Sequence, residues 1–287
     1  MALMKASYTC WSRANGLAKI ISGAHSDVMS FESYRHLQPE PILNAQLPAE
    51  VIAMAARQGL PGIGPLPVSD WLVRSAVFDM QMALRDVLIR DHRERVVIEN
   101  DQPSAAAQEL YDLVLQTLRQ DPGYDVTNAW ITRPDGVRVD LDADTPIGTL
   151  GRLLQEDLLI LQSGPNGHLL TEGVLCFPSG WTLAEKTGRT LGRIHLPVAD
   201  YTVDIEQRVQ RLFDAVRPGK ILARANNIHH DNYHLFQPYS ESDPRDDTAN
   251  PAYLRAERQC ILKLPRSGAA IFSIHSYVVR QNANKAL

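Results

Sequence analysis

The sequence has few cysteines, no strongly basic stretch and no long apolar run. Its 287 residues include only three cysteines, which are widely spaced. This odd number argues against a disulfide framework, and it cannot supply the four thiolates of an ordinary iron–sulfur cluster. The formal net charge of −4, without a dense Lys/Arg run, gives no electrostatic signature of nucleic-acid binding. The longest apolar stretch near the C-terminus, AAIFSI at residues 269–274, is too short to cross a bilayer.

Two familiar catalytic signatures are missing as well. The chain has no Gly-x-Ser-x-Gly elbow of a serine hydrolase. The string GLPGIG at residues 59–64 lacks the Gly-x-Gly-x-x-Gly spacing of a dinucleotide site and precedes prolines, so we interpret it as a loop. Cys176 and Cys260 lie in apolar predicted strands, which favours buried thiols over nucleophiles. The acidic pair Glu156 and Asp157 begins a predicted strand, a position more typical of exposed or capping carboxylates than of catalytic ones.

The composition, 44% hydrophobic and 22% charged, is typical of a soluble globular protein. The N-terminal segment has no continuous hydrophobic core of the kind that a secretory signal needs. A transit peptide is the alternative, because this segment is basic until Asp27. We expect a cytoplasmic protein with a leader and loop-rich segment over residues 1–65, partly disordered. A single domain over 66–280 and a tail over 281–287 follow.

The order of the periodic segments predicts an α+β fold. A helical pattern begins at Ser69, and its predicted buried stripe is Val73, Val77, Met80, Leu84 and Val87. A second helix is predicted over residues 104–120. The period then changes to that of strands, with three predicted β-hairpins that turn at PDG, SGPNG and PRSG. Helices predicted at 182–188 and 201–217 interrupt these strands. Helices therefore lead, and a largely antiparallel sheet with inserted helices follows.

Three of the nine histidines lie in the cluster HHDNYH at residues 229–234. His229 and Asp231 have the His-x-Asp spacing of a facial triad, and His275 is a candidate third ligand. In such a non-haem Fe(II) oxygenase, Arg280 would hold an oxo-acid co-substrate. A polar loop without metal is the alternative interpretation of this cluster.

His195 has a different setting, in the string GRIHLPVADY at residues 192–201. A single imidazole among apolar neighbours is suited to face a flat apolar cofactor. A haem iron held by one histidine keeps its opposite side free for oxygen or substrate. A structural histidine satisfied in the core is the alternative that the local pattern leaves open.

Long, low-degeneracy strings in the C-terminal half carry a resemblance to a known family. They are EDLLILQ (156–162), GVLCFPSGWTLAEKTGRTLGRIHLPVADY (173–201), RVQRLFDAVRPGK (208–220) and AERQCILKLPRSGAAIFSIHSYV (256–278). In this order they resemble the haem-dependent oxidative N-demethylase alpha-subunit-like family, relatives of bacterial dimethylamine monooxygenase. Weaker similarity reaches back to about residue 65.

The resemblance implies a PAS-like antiparallel sheet whose flanking helices cup haem b, preceded by a helical N-terminal region. It also implies a monooxygenase that oxidises a small amine with O2 and releases formaldehyde. Electrons would come from NADPH through FMN and a 2Fe–2S centre on a separate reductase subunit. The three cysteines agree with this division, because the chain cannot hold that cluster itself.

Carried over to this sequence, the resemblance makes His195 the expected axial ligand of the haem iron. It makes Lys186, Arg224 and Arg258 the expected partners of the haem propionates, because buried carboxylates need charged partners. Trp181 is expected on the cofactor, with the protein core as its alternative. If His195 is not the ligand, the next candidates are His168, His234 and His275.

The chain departs from the family pattern at two positions. Asn227 in RANNIHH stands where relatives have tryptophan, and His275 in FSIHSY stands where arginine is typical. We expect both segments to line or support the pocket, which puts dimethylamine in doubt as the substrate. A non-catalytic haem sensor and an interaction domain without cofactor are therefore alternatives to the enzyme.

Overall fold

The computed structural model describes residues 30–57, 62–195, 203–245 and 251–281. Its helices are α1 (Ala49–Ala55), α2 (Phe78–Asp91), α3 (Arg93–Val96), α4 (Ala105–Leu118), α5 (Pro146–Leu153), α6 (Leu183–Lys186), α7 (Leu191–His195) and α8 (Val203–Ala215). Short 3-10 turns cover Phe31–Leu37 and Val68–Asp70.

The strands form two sheets. Their bounds are β1 (Gly64–Leu66), β2 (Val97–Ile98), β3 (Asp125–Val126), β4 (Trp130–Thr132), β5 (Arg138–Asp140), β6 (Asp157–Gly164), β7 (Gly167–Val174), β8 (Ile221–His230), β9 (Tyr253–Lys263) and β10 (Ala270–Arg280). The larger sheet has the order β1-β8-β9-β10-β6-β7-β2, and the smaller has the order β3-β4-β5. The paired strands are antiparallel, so the predicted α+β class is confirmed.

The three predicted hairpins form as β4–β5, β6–β7 and β9–β10. All three turns contain a glycine in a backbone conformation that favours glycine, and Gly167 at the end of SGPNG has φ of 107°. Gly136 after Pro-Asp has φ of 78°, and Gly268 after Arg-Ser has φ of 71°. Because glycine lacks a Cβ, it adopts these positive angles without steric cost.

The large sheet separates two apolar cores, because alternate side chains of each strand point to opposite faces. We call one side the α2 face, whose core joins Leu88 of α2, Leu110 of α4, Leu150 of α5, Ile160 of β6 and Ile271 of β10. We call the other side the α7 face, whose core joins Leu159 of β6, Leu191 of α7, Phe213 of α8, Ile261 of β9 and Ile274 of β10. The two faces therefore provide two separate environments.

The predicted helix 104–120 matches α4. The Ser104 side chain accepts a hydrogen bond from the backbone N–H of Ala107, which satisfies one of the unpaired donors at the helix start. Leu110, Val114 and Leu118 follow at spacings of four residues and are buried. The predicted helix 201–217 likewise matches α8.

The predicted helix start at Ser69 is wrong, because α2 begins at Phe78. The N–H groups of Val73 and Ser75 donate instead to the side chains of Glu156 and Gln155, at 2.9 Å each. These tertiary bonds hold the segment in a non-helical path. Met80, which the periodicity placed on the buried stripe, is 48% exposed.

Residues 30–57 pack into the same core as the helices that follow them. Tyr34, Val51 and Met54 are buried on the α2 face, and the N–H of Asn44 donates to the carbonyl of Val278 in β10. The expected boundary at residue 65 falls inside β1, which pairs with β8. The expected leader up to residue 29 and the tail after residue 281 lie outside the described residues.

Cys176 and Cys260 are both buried, as the apolar strand pattern predicts. Burial raises the pKa of the Cys176 thiol to about 12 and that of Cys260 to about 11. Such thiols stay protonated and are poor nucleophiles. Cys10 lies outside the described residues.

Candidate functional site

His195 is the last residue of α7, and its ring is held by its own helix. Nδ1 lies 2.8 Å from the carbonyl oxygen of Leu191. Because a carbonyl only accepts, Nδ1 carries the ring proton and Nε2 carries the lone pair. Burial lowers the pKa of His195, and the positive charges of Lys186 and Arg224 lower it further. The imidazole is therefore neutral and has the tautomer that binds a metal through Nε2.

Lys186 of α6 holds α7 in position. Its buried Nζ donates to the carbonyl of Ile194 at 2.9 Å and to Oε1 of Glu241 at 2.7 Å. Arg193 of α7 donates to Oε2 of the same carboxylate at 2.8 Å. Hydrogen bonds from Arg193 and Lys186 lower the pKa of Glu241 to about 2. Lys186 is thus already paired with the carboxylate of Glu241. Its contacts fix the position of α7, rather than leaving its charge for a haem propionate.

On the α7 face of the large sheet, the strand register places side chains of β8, β9 and β10 next to one another in rows. One row joins Leu222, Ile261 and Phe272 of β8, β9 and β10, and the next joins Arg224, Gln259 and Ile274. The first row is apolar and the second is mixed. Trp181, Ile194, Leu222 and Phe272 pack against the core of the α7 face but are only partly buried. Apolar surface therefore remains on the side of the sheet that carries Arg224.

Arg224 and Asn226 have buried polar atoms without partners. Within the described residues, Arg224 Nε and Asn226 Oδ1 are shielded from solvent and make no hydrogen bond. The two residues alternate along β8 and project from the α7 face. Burial lowers the pKa of Arg224, while the negative charge of Glu257 raises it. A buried guanidinium nitrogen without an acceptor is costly, and a ligand carboxylate would satisfy it.

Arg258, the other predicted propionate partner, lies on the α2 face. It is 1% exposed and donates to the carbonyls of Trp71, at 3.0 Å, and Asp70. Its Nε lies 3.7 Å from Glu50. The structure therefore does not bring Arg258 together with His195, and we leave it out of the candidate site.

The proposed facial triad is not assembled. His229 and Asp231 are exposed, whereas His275 is fully buried beside Glu156 on the α2 face. In the strand register, His229 of β8 lies opposite Leu254 of β9, which lies opposite Val279 of β10. Val279 is four residues away from His275 along β10. Four residues along a strand and two spacings between strands separate His229 from His275 by about 16 Å. Arg280, the expected co-substrate partner, packs over the ring of Tyr253 instead.

The reserve haem ligands have other partners or other positions. His168 of β7 lies within hydrogen-bond distance of Ser163 and Gln210. His234 stacks on Tyr233. Among the described residues, no group of three or more His, Cys, Asp and Glu side chains is arranged to hold a metal ion. A cofactor held through one imidazole does not require such a group.

Sequence reasoning missed Glu241, Asn226 and the burial of the acidic pair. Glu241 lies in a polar loop with no local signal of its contact with Lys186. Glu156 and Asp157 are each 1% exposed, contrary to the expectation of exposed carboxylates. Asp157 accepts the N–H groups of Cys176 and Phe177 and pairs with the buried Arg85. Asn226 had a signal, since it shares the string RANNIHH with Arg224.

The family model of the haem-dependent oxidative N-demethylase, alpha subunit-like proteins matches residues 62–285. The chain belongs to this family. The match includes α7, β8, β9 and β10, so the candidate site lies wholly inside it. Membership of the haem-dependent oxidative N-demethylase alpha-subunit-like family indicates dependence on haem and an oxidative enzyme, and it confirms the resemblance stated above. Within the described ranges, no helix has both the length and the apolar character needed to span a membrane.

Proposed function

We propose that this chain is the haem b-binding, amine-oxidising subunit of a multicomponent cytoplasmic monooxygenase. A separate subunit carrying FMN and a 2Fe–2S centre would deliver electrons from NADPH. The observation that supports this most is that the imidazole of His195 and the unpartnered guanidinium nitrogen of Arg224 lie on the same side of the large sheet. A metal ligand and a carboxylate partner are the two polar contacts that a haem group needs.

The residues present fit haem on the α7 face. His195 Nε2 would bind the iron, and Arg224 would pair with a propionate, with Asn226 beside it. Trp181 and Phe272 would contact the apolar ring. An antiparallel sheet with α6, α7 and α8 on one face supports the PAS-like architecture that the resemblance implies. When bound, haem supplies the oxygen activation that no side chain provides.

Hydrogen bonds within the protein fix the tautomer and the position of His195. The carbonyl of Leu191 keeps the proton of His195 on Nδ1, which fixes both the tautomer and the ring orientation. Lys186 ties the end of α7 to α6 and to Glu241, so the imidazole stays in place. Partly buried Trp181, Leu222 and Phe272 provide the apolar lining that excludes water.

Both departures from the family pattern project away from α7. His275 lies on the α2 face, and Asn227 is exposed at a position that alternates with Asn226. Neither side chain therefore projects from the α7 face, although the strands that carry them contribute Asn226 and Phe272 to it. A small secondary amine such as dimethylamine remains a fitting substrate class for the site that we propose.

We expect replacement of His195 by Ala to abolish or strongly weaken haem retention, because the imidazole supplies the metal bond. The measurement is the Soret absorbance of full-length protein reconstituted with haem and desalted. His229→Ala is the matched control, since His229 is exposed and contacts Gln281. Full haem retention and an unchanged spectrum in His195→Ala would refute the assignment.

The amine-oxidising activity needs a second measurement on the wild-type holoprotein. A secondary amine should shift the Soret band and, with a reductase, should be consumed together with NADPH and O2 in equal amounts, releasing formaldehyde. Haem binding without amine-dependent consumption would make the chain a haem sensor rather than an oxygenase.

A further inference from the structure

Residues 31–39, which we call the strap, pack against the loop that follows β8. The strap lies outside the match to the family model, which begins at residue 62. We call residues 231–241 the connecting loop. Among its described residues, the chain between β8 and β9 contains no helix and no further strand of either sheet. The path of the connecting loop therefore depends on its contacts with other parts of the protein.

The side chain of Gln38 holds the backbone of the connecting loop. Its Oε1 accepts the N–H of Leu235 at 2.8 Å, and its Nε2 donates to the carbonyl of Tyr233 at 3.4 Å. Gln38 is 4% exposed and Leu235 is fully buried, so water does not replace the amide easily. Loss of the amide would leave the buried N–H of Leu235 without an acceptor, which costs more than the bond itself contributes.

Two aromatic residues of the strap pack on the same loop. The buried ring of Phe31 has its centroid 5.4 Å from that of His234 and 5.3 Å from that of Tyr239. Tyr34 lies edge to face on Phe236, with ring centroids 5.1 Å apart. Such aromatic pairs stabilise a contact beyond the area that they bury. The strap therefore fixes the connecting loop through both hydrogen bonds and rings.

The middle of the connecting loop holds the chain that leads into α6. The N–H of Gln237 donates to the carbonyl of Pro178, and the N–H of Gly180 donates to the carbonyl of Gln237, at 3.1 Å each. Gln237 is 1% exposed, and its Nε2 donates to the carbonyl of His234 at 2.6 Å. The part of the loop that packs on the strap is thus tied to the start of α6.

The end of the connecting loop holds α7. Glu241 accepts hydrogen bonds from Lys186 of α6 and Arg193 of α7. Lys186 also donates to the carbonyl of Ile194, the residue before His195. Hydrogen bonds and the backbone of the loop therefore connect the strap with the helix that carries His195.

We propose that the strap controls the position of α7 and, through α7, the retention of haem at His195. The part that concerns haem rests on the function proposed above, whereas the coupling of the strap to α7 does not. Phe31 and Gln38 act through the connecting loop, so they are positioning residues. Release of the strap loosens α6 and α7, while α4 on the other side of the sheet keeps its packing.

The first experiment measures hydrogen exchange by mass spectrometry in the haem-free, full-length protein. Gln38→Met keeps a side chain of similar size but removes both hydrogen bonds to the loop. We expect the amides of residues 183–195 to exchange about tenfold faster than in the wild type, with unchanged exchange in α4. Glu32→Gln is the matched control, because Glu32 is an exposed residue of the strap that pairs with Arg35.

Two results of this experiment would overturn the proposal. One is wild-type exchange of residues 183–195 in Gln38→Met. The other is an equal increase in α4, which would indicate general destabilisation. Phe31→Leu gives an independent check that leaves the bonds of Gln38 intact, and we expect it to speed exchange of residues 183–195 about threefold. If Gln38→Met does not fold, unchanged exchange in Phe31→Leu is the result that contradicts the proposal.

The second experiment measures haem transfer to apomyoglobin from the reconstituted full-length protein. We expect Gln38→Met to lose haem about threefold to tenfold faster than the wild type, and Glu32→Gln to lose it at the wild-type rate. Faster exchange in α7 with unchanged haem loss would overturn the link to His195. If the wild type takes up no haem, the function proposed above fails, whereas hydrogen exchange still decides whether the strap holds α7.

Discussion

At the scale of single residues, the arginines on the two faces of the sheet differ in the partners that their guanidinium groups have. Arg85, Arg255 and Arg258 are each 1% exposed or less, and each donates to backbone carbonyls and pairs with a carboxylate. Arg224 is only partly buried, yet it has neither a hydrogen bond nor an ion pair with any described residue. The Nε atoms of Arg255 and Arg258 also lack a hydrogen-bond partner, but the other nitrogens of these guanidinium groups are held by protein groups. The absence of any such contact at Arg224 supports the ligand role that we propose for it.

This difference predicts an unusual response to Arg224→Gln. We expect haem to be lost about tenfold faster to apomyoglobin, because one charge-assisted contact disappears. The haem-free protein should be as stable as the wild type or more stable, since an unpaired buried charge is removed. Arg280→Gln is the control, because Arg280 is exposed at the end of β10. A merely structural Arg224 would give the opposite pattern, with lower stability and unchanged haem loss.

At the scale of elements, α7 is a helix of five residues and depends on tertiary contacts. Its end is fixed by Lys186, and Lys186 and Arg193 share the carboxylate of Glu241. The short helix, the lysine of α6 and the loop that carries Glu241 therefore form one unit. Loss of its central carboxylate should loosen the element that carries His195.

The pKa of Glu241 gives this unit a defined pH dependence. Hydrogen bonds lower the folded-state pKa from 4.5 to about 2, so the unfolded state binds the proton more readily between these values. The stabilisation is therefore complete above pH 4.5 and is lost as the pH falls towards 2. We expect Glu241→Gln to cost about 1 kcal/mol at pH 7, since solvent partly screens the pair. In urea unfolding, the gap from wild type should shrink below pH 4.5; a constant gap would contradict the assignment.

The elements also show where sequence reasoning works and where it stops. The turn at Gly136 and the stripe of α4 were predictable, because turn chemistry and helical period act over a few residues. The start of α2 was not, because Val73 and Ser75 donate to side chains about 80 positions later in the chain. No local pattern contains that information.

At the scale of the whole molecule, the N-terminal segment belongs to the same folding unit as the sheet. Met54 of α1 is 6% exposed within the core of the α2 face, and α1 contacts β8. The strand that carries Arg224 therefore has part of its support before residue 58. We expect damage to this segment to destabilise the protein as a whole.

The chain offers a matched pair of methionines to check this. Met54→Ala should lower the free energy of unfolding by about 2 kcal/mol or more, because it leaves a cavity in a packed core. Met80→Ala should change it by less than about 0.5 kcal/mol, because Met80 is 48% exposed. Chemical denaturation of both variants measures the difference. Equal small effects would mean that residues 30–57 do not share the main core.

The sequence by itself determined the α+β order, the hairpins, the family and the choice of His195 as the leading ligand candidate. These follow from period, turn residues and long strings of residues, all of which are local. Only the tertiary structure decided which of the predicted arginines lies on the same side of the sheet as that histidine. Arg258 pairs with Ala225, the neighbour of Arg224 on β8. Because successive side chains of a strand point to opposite faces, one step in register places Arg258 on the α2 face and Arg224 on the α7 face.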